Sequence, residues 1–460
     1  MSTSSDVADR LGGALGATVL SLRRLSGGAS RVTSVVELED PSGTRRRVIL
    51  QQQRGTAVSG AANVGLQAGL LRAAGRAGVP VPRVLAAGVD DGLDAGWLVV
   101  EHLEGETIPR RLLRDEAYAD ARRRLVGDAA TALAAIHAMS PHDVVGLPGA
   151  DPFARPLELL DTTGEVRPTL ELAARWLDAH RPPGCGETVV HGDFRMGNFL
   201  VDGSGLRGVL DWELAHAGDP AEDLGWLTAR AWRFGGSGEV AGLGRLDDLL
   251  ARYATASGRV IEPATVRWWQ AYAALKWAVI CALQAAAHLH GGTPSVELAA
   301  IGRRVCESEW DLLDLIGVER PVLADLTTRR TAEPAPFGRP SARELLEAVE
   351  GYLDTKVLGV AEGAPRFEAQ VARNVLEIVA RELTFGRGFE AAHRARLVER
   401  GFSDDAVLAA AIRAGDLDAR LSEVGTVLAH SVLEQLHVAN PRYATSHGET
   451  PRQFPQIERT

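Results

Sequence analysis

The chain opens on short runs in which apolar and polar residues alternate. Val19-Leu20-Ser21-Leu22 and Val32-Thr33-Ser34-Val35-Val36 read as strands on either side of the turn Ser26-Gly27-Gly28-Ala29-Ser30. Arg47-Val48-Ile49-Leu50-Gln51 follows the turn Pro41-Ser42-Gly43 as a third strand. The period then changes: Leu66, Leu70 and Leu71 share one face of a helix over 64–76, and Gly78 closes it. Trp97-Leu98-Val99-Val100-Glu101 reads as a last buried strand. Helical spacing dominates afterwards, as in Leu125, Ala129, Leu133 and Ile136 within 119–139. A short β segment interrupts it. Thr188-Val189-Val190 is one strand, and Phe199-Leu200-Val201 pairs with Gly208-Val209-Leu210 across the turn 202–205.

Residues 327–340 carry Pro334, Pro336 and Pro340 and no apolar period, the pattern of a linker. Ser341 with Glu344 then predicts a capping box at the start of a new helix. Leu345, Leu346, Val349, Tyr352 and Leu353 form one helical stripe; Phe367, Val371, Val375, Ile378 and Val379 form another, and 424–438 a third. The expected fold class is α+β, with a separate all-α region at the C-terminal end.

Charge and composition narrow the partners. A net charge of −10 without a basic stripe argues against nucleic acid. Cys185, Cys281 and Cys306 are scattered, so neither a disulfide framework nor a zinc site is expected, and a reducing cytoplasm fits. Residues 1–10 lack the basic start and apolar stretch of a signal peptide. Residues 268–287 are nearly all apolar but Ala-rich, and they contain Gln270, Lys276 and Gln284. A buried helix is expected there and no membrane span, with Lys276 snorkelling to the surface or, in the alternative, meeting an acidic group of the substrate. His288 and His290 are expected to cap its C-terminal end. Lys276 and Lys356 are the only lysines in the chain.

The chemistry gathers at His191-Gly192-Asp193-Phe194-Arg195-Met196-Gly197-Asn198. The H-x-D-x4-N spacing is that of a kinase catalytic loop. Asp193 would orient the attacking hydroxyl. Asn198 and Asp211 would hold Mg2+ through hard oxygen atoms, the intervening hairpin returning Asp211 to the loop. Backbone N–H groups of the turn at Ser26, Gly27, Gly28 and Ser30 would cover the phosphates of ATP.

Val189 to Asp193, Gly208 to Glu213, Gly218-Asp219-Pro220-Ala221-Glu222-Asp223-Leu224-Gly225, Gly78 to Pro82 and Ser26-Gly27-Gly28 together resemble the aminoglycoside phosphotransferase family. The run 211–226 is most similar to the branch related to the kinase-like part of acyl-CoA dehydrogenase fusion proteins. The resemblance implies a two-lobed protein-kinase-like fold, with a β-rich N-lobe over 1–102 and a mainly helical C-lobe over 103–325. A linker over 326–340, an all-α domain over 341–445 and a tail over 446–460 would follow. That domain resembles a small helical domain found beside kinase-like proteins, and an oligomerisation or protein-partner role is expected of it. The implied reaction moves the γ-phosphate of ATP to a hydroxyl of a small molecule, with a hydroxyacyl-CoA-like acceptor in this branch. Asp219 and Asp223 would support the loop together with His191, although Asp219-Pro220 also reads as a plain helix start. Gln51 and Glu101 fall on the nucleotide side.

One departure stands out. The strand position that carries the phosphate-binding lysine in kinases is Gln51, and the partner glutamate position in the next helix falls near Gln67. No Asp or Glu occurs between Asp40 and Asp90. Losing both partners avoids an unpaired buried charge, but the phosphates lose a cation, for which Arg31 and Arg54 are candidates. The alternative expectation is therefore a catalytically weak kinase-like protein that binds nucleotide or acyl-CoA.

Overall fold

The β-branched run of 32–36 and the apolar run of 48–50 form the centre of an antiparallel sheet in the computed structural model, which describes residues 4–25, 31–53, 64–90, 95–291, 294–321 and 339–445. Its strands are β1 (Thr18–Arg24), β2 (Arg31–Glu39), β3 (Arg45–Gln53), β4 (Val84–Asp90) and β5 (Ala95–Glu101), in the order β1-β2-β3-β5-β4. Strand alternation sorts the side chains onto two faces. Val36, Leu38, Val48, Leu50 and Val99 pack with Leu11 of α1 (Ser4–Leu15). On the opposite face Ile49, Leu98 and Val100 join Leu66 and Leu70 of α2 (Val64–Arg76) in a larger core. Helix α1 was not expected from the sequence; Val7, Leu11 and Leu15, spaced by four, are the stripe that docks it.

By internal contacts the chain forms two units, residues 1–154 with 182–270 and residues 155–181 with 271–460. The first continues from the sheet into α3 (Pro109–Arg114) and α4 (Ala119–His137). After the excursion of α5 (Pro156–Asp161) and α6 (Pro168–Ala179) into the second unit, the first resumes with β6 (Thr188–Val190), β7 (Phe199–Asp202), β8 (Gly205–Val209) and β9 (His216–Gly218). Helices α7 (Ala221–Thr228) and α8 (Leu246–Ser257) follow, and α9 (Pro263–His290) contributes to both units.

The second unit adds α10 (Val296–Gly302), α11 (Val305–Leu315), α12 (Ala342–Tyr352), α13 (Gly363–Glu399), α14 (Asp405–Ala414), α15 (Leu421–Ala439) and α16 (Pro441–Thr445). Its core joins Leu172 of α6 and Trp310 and Leu313 of α11 to Leu408, Ile412, Leu428, Leu433 and Leu436. Arg413 of α14 clasps Asp161 and Glu171. Helices α6 and α11 lie before the expected domain boundary, yet they share this core with helices beyond it. The reason is packing: a stripe on α15 is legible in sequence, but which helix covers it is not. The capping box of α12 is present, Ser341 and Glu344 each accepting from the other's backbone N–H. Residues 322–338, most of the expected linker, and the tail 446–460 lie outside the described residues.

Helix α9 is long and apolar enough to cross a membrane, but half of its apolar window is buried inside the fold. Lys276 is fully buried, which corrects the snorkelling expectation. His288 Nδ1 accepts the backbone N–H of Ser295 at 3.0 Å just beyond the helix.

Candidate active site

Two strand pairs carry the motif residues. Strand β6 pairs with β9, leading directly into His191, while β7 pairs with β8, joining Asn198 to Leu210. The β7–β8 hairpin is fastened on both sides. Val201 of β7 exchanges backbone hydrogen bonds with Glu106, just after β5, at 2.8 and 3.0 Å. The N–H of Val209 in β8 donates to the carbonyl of Pro80, just before β4, at 2.8 Å. The ladder ends where Leu210 N donates to Asn198 O at 2.8 Å, so Asp211 follows immediately beyond a residue bonded to Asn198. Asp211 itself is exposed and adopts φ 63°, a left-handed conformation uncommon outside glycine and met at functional turns.

Asp193 is held by three N–H groups. Its Oδ1 accepts from Arg195 Nε at 2.8 Å and from Trp226 Nε1 at 2.8 Å; its Oδ2 accepts from Asn198 Nδ2 at 2.7 Å. Asn198 Nδ2 also donates to the Asp193 carbonyl at 2.9 Å. A carboxylate has about four lone-pair sites, so Asp193 keeps capacity to accept one further hydroxyl.

The loop is anchored from α7. Asp223, fully buried, accepts the N–H of His191 at 2.8 Å and of Gly192 at 2.9 Å. His137 Nε2 lies 3.3 Å from the same carboxylate, and His137 Nδ1 lies 2.9 Å from the Tyr253 hydroxyl. Burial, the largest influence on Asp223, pushes its pKa up; the His137 hydrogen bond and the His191 N–H outweigh it and hold the group below the usual carboxylate value. Burial pushes Tyr253 up to about 12. His191 is buried and held below the ordinary histidine value, burial again leading, and its Nε2 meets the Leu210 carbonyl at 3.1 Å. Its ring lies 4.7 Å from that of Trp212. His191 therefore buttresses the loop as a neutral ring. Gly192 has φ +77°, and a Cβ there would fall 2.4 Å from the Leu214 carbonyl oxygen, so only glycine fits.

Asp219 does two things. Its Oδ1 caps the Ala221 N–H at 2.8 Å, and its Oδ2 accepts from Cys185 N at 2.7 Å, ahead of β6. Asp151, His216 and Glu222 place three potential ligand atoms within 4.8 Å of one another. Both nitrogens of His216, however, face acceptors, Leu214 O at 2.8 Å and Glu222 Oε2 at 3.1 Å. Burial, the largest influence, lowers its pKa, but Glu222 and Asp151 raise it further than that and favour the charged ring, and with both nitrogens turned to these acceptors neither offers a lone pair to a metal.

On the nucleotide side, Gln51 shares its face of β3 with Ile49, the face toward α2, where Gln67 is buried. Both glutamines thus lie on the side of the sheet that faces α2. Glu101 is engaged by Arg83 Nε at 2.6 Å. Ser26, Gly27, Gly28, Ser30 and Arg54 lie outside the described residues, as does the side chain of Arg31. Sequence reasoning gave no role to Arg195, Trp226, His137 or Tyr253. For Trp226 a signal existed: it follows Asp223 by three residues on α7, hence on the same face.

A loop aspartate oriented by N–H donors, an adjoining asparagine and a second aspartate returned by a hairpin define a kinase-like phosphotransferase. Residues 21–269 match the phosphotransferase enzyme family, and the chain belongs to it. Residues 359–443 match a domain of unknown function, DUF6285. Among curated proteins the chain is similar to acyl-CoA dehydrogenase family member 10 of Mus musculus, 26% identical over 223 residues, 45% of this chain and 20% of that protein. It is also similar to family member 11 of Gallus gallus, 27% identical over 230 residues, 46% of this chain and 28% of that protein. The chain thus spans well under a third of these relatives. An aminoglycoside phosphotransferase homologue from Ralstonia eutropha shares the fold at 19% identity and TM-score 0.52, over 67% of this chain and 98% of its own. A spectinomycin phosphotransferase solved with ADP and spectinomycin does so at 11% identity and TM-score 0.50, over 68% and 98%. The fold is therefore the kinase-like one expected.

Proposed function

We propose that the protein transfers the γ-phosphate of ATP to a hydroxyl of a small molecule, with a hydroxyacyl-CoA-like compound as the acceptor. The carrying observation is Asp193, whose carboxylate is fixed by Arg195, Trp226 and Asn198 with capacity for one more hydrogen bond. Asp193 accepts the proton as the substrate oxygen bonds to the γ-phosphorus, and the bond from that phosphorus to the β–γ bridging oxygen breaks, releasing ADP. Asn198 directs its amide N–H to Asp193, which leaves its amide oxygen for a metal, and Asp211 offers a carboxylate beside it. These hard oxygen donors suit Mg2+, which when bound neutralises phosphate charge. The acyl-CoA class of acceptor is supported by the two acyl-CoA dehydrogenase family relatives, and the nucleotide by the ADP complex of the spectinomycin enzyme.

A second reading, a nucleotide- or acyl-CoA-binding protein with little turnover, is favoured by Gln51 and Gln67. One experiment separates the two. The protein is incubated with ATP, Mg2+ and panels of hydroxyacyl-CoA, sugar and aminoglycoside acceptors, with Asp193→Asn as control. Turnover lost in the variant supports the transferase; nucleotide-dependent thermal stabilisation without turnover on any acceptor supports the binding protein and sinks the first reading.

A further inference from the structure

We propose that Arg195 supplies the phosphate-binding cation that β3 lacks, and that it acts on the phosphoryl group in transfer rather than on the rest of the nucleotide. The inference rests on the phosphotransferase reading above.

The need is plain from the charges. The face of β3 toward α2 carries Ile49, Gln51 and Gln53, and no lysine precedes Lys276. Arg47, further back on that face, is already paired with Glu104. Arg195 is placed differently. Only its Nε is bonded, to Asp193 Oδ1 at 2.8 Å; its two Nη groups have no hydrogen-bond partner among the described residues. The side chain is a quarter exposed. A guanidinium with its Nη fork open matches the oxygens of a phosphoryl group in a way that a point charge does not.

Two features hold it there. The guanidinium lies over the ring of Trp232, 4.7 Å from its centroid, and Trp232 is buried against Trp226, with ring centroids 5.3 Å apart. Beneath it is Gly197, where a Cβ would fall 2.2 Å from Arg195 Nη1; the glycine opens the path the side chain takes. One indole, backed by a second, and a backbone thus hold the guanidinium in place, part-buried beside Asp193.

Position decides the role. The carboxylate that orients the attacking hydroxyl is the one Arg195 donates to. On this proposal the open Nη groups, carried by the same side chain, act beside the phosphorus that oxygen attacks. The lysine of an ordinary kinase strand contacts the α- and β-phosphates and serves nucleotide binding as well. Moving the cation to the loop shifts its contribution from nucleotide affinity to the transition state.

The test compares Arg195→Met and Arg195→Lys in phosphotransfer and basal MgATP hydrolysis, with thermal shift as a second readout. Arg195→Met is expected to lower kcat roughly 100- to 1,000-fold, the usual effect of removing one donor to developing charge, with KM for ATP within about threefold. Arg195→Lys should recover part of the loss. MgADP should stabilise wild type and Arg195→Met equally, while the further stabilisation on adding aluminium fluoride, a mimic of the transferring phosphoryl, should vanish in Arg195→Met. Guanidinium ion should restore turnover to Arg195→Ala where an equal concentration of urea does not. A near-normal kcat in Arg195→Met, a loss confined to KM, or an intact aluminium fluoride increment would overturn the inference. Wild-type protein as inactive as Asp193→Asn in every assay would instead remove the phosphotransferase reading, and the inference with it.

Discussion

Replacing Asp223 by asparagine tests whether α7 anchors the catalytic loop. The carboxylate takes the His191 N–H on one oxygen and the Gly192 N–H on the other. Asparagine has a single acceptor oxygen, so one of these buried donors must face an NH2 group. An unmade buried hydrogen bond costs about 1–3 kcal/mol, and replacing a charged acceptor by a neutral one in the surviving bond costs about 1 kcal/mol more. The sum, about 2–4 kcal/mol, makes local opening roughly 30- to 700-fold more frequent, at about 1.4 kcal/mol per factor of ten. Hydrogen–deuterium exchange read on a peptide spanning 189–193 measures it directly. The carboxylate's folded pKa is lowered, so its contribution is complete above the ordinary value of 3.8 and fades only as pH falls through the lower folded value. The gap between wild type and variant should therefore persist from pH 7 to pH 5. Exchange within threefold of wild type, or an equal effect from Asp219→Asn, would refute the anchoring role.

Three further outcomes follow from the geometry. Gly192→Ala, forced to φ +77° with its Cβ 2.4 Å from the Leu214 carbonyl oxygen, should shift the loop and lower turnover by about 100-fold or more, as measured by steady-state kinetics. The raised pKa of His216 gives stability that is complete below its ordinary value of 6.5 and is lost as pH rises through the folded value. Tm of the wild type should accordingly fall more steeply above pH 6.5 than that of His216→Gln, and parallel profiles would contradict a raised pKa at this position. A chain ending at Pro340 would lose the cover on Leu172, Trp310 and Leu313, each at most 5% exposed in the whole chain. At about 1.5–3 kcal/mol per side chain this costs about 5–9 kcal/mol, and the fragment should bind a dye specific for exposed apolar surface. A fragment with unchanged Tm and no dye binding would show that the shared core is dispensable.

The local layers of the fold were legible because their signals are local. Strand alternation located β2, β3 and β5, and the turn at 202–205 located the β7–β8 hairpin whose register returns Leu210 to Asn198. Ser341 and Glu344 marked the start of α12 to the residue. What the sequence hid was pairing at a distance. Strand β9 has three residues and no alternation to read, yet it backs β6. His137 and Asp223 are 86 residues apart, and no periodicity links them. The apolar stripes of α12 and α13 mark helices, but Leu345, Val349, Tyr352 and Phe367 on them are exposed, each by about half or more. Periodicity identifies a face; it does not say what meets it.

Asp223 and Trp226 stand about one turn apart on α7, one bonded to the backbone of the catalytic loop and the other to the Asp193 carboxylate. The frame of the loop and the aim of its reactive group thus hang on a single rigid peg. A substitution that tilts this helix disturbs both at once, so such changes cannot accumulate by small tolerated steps. Diversification of acceptor preference within this scaffold is therefore steered away from α7 and toward surfaces that touch the acceptor alone.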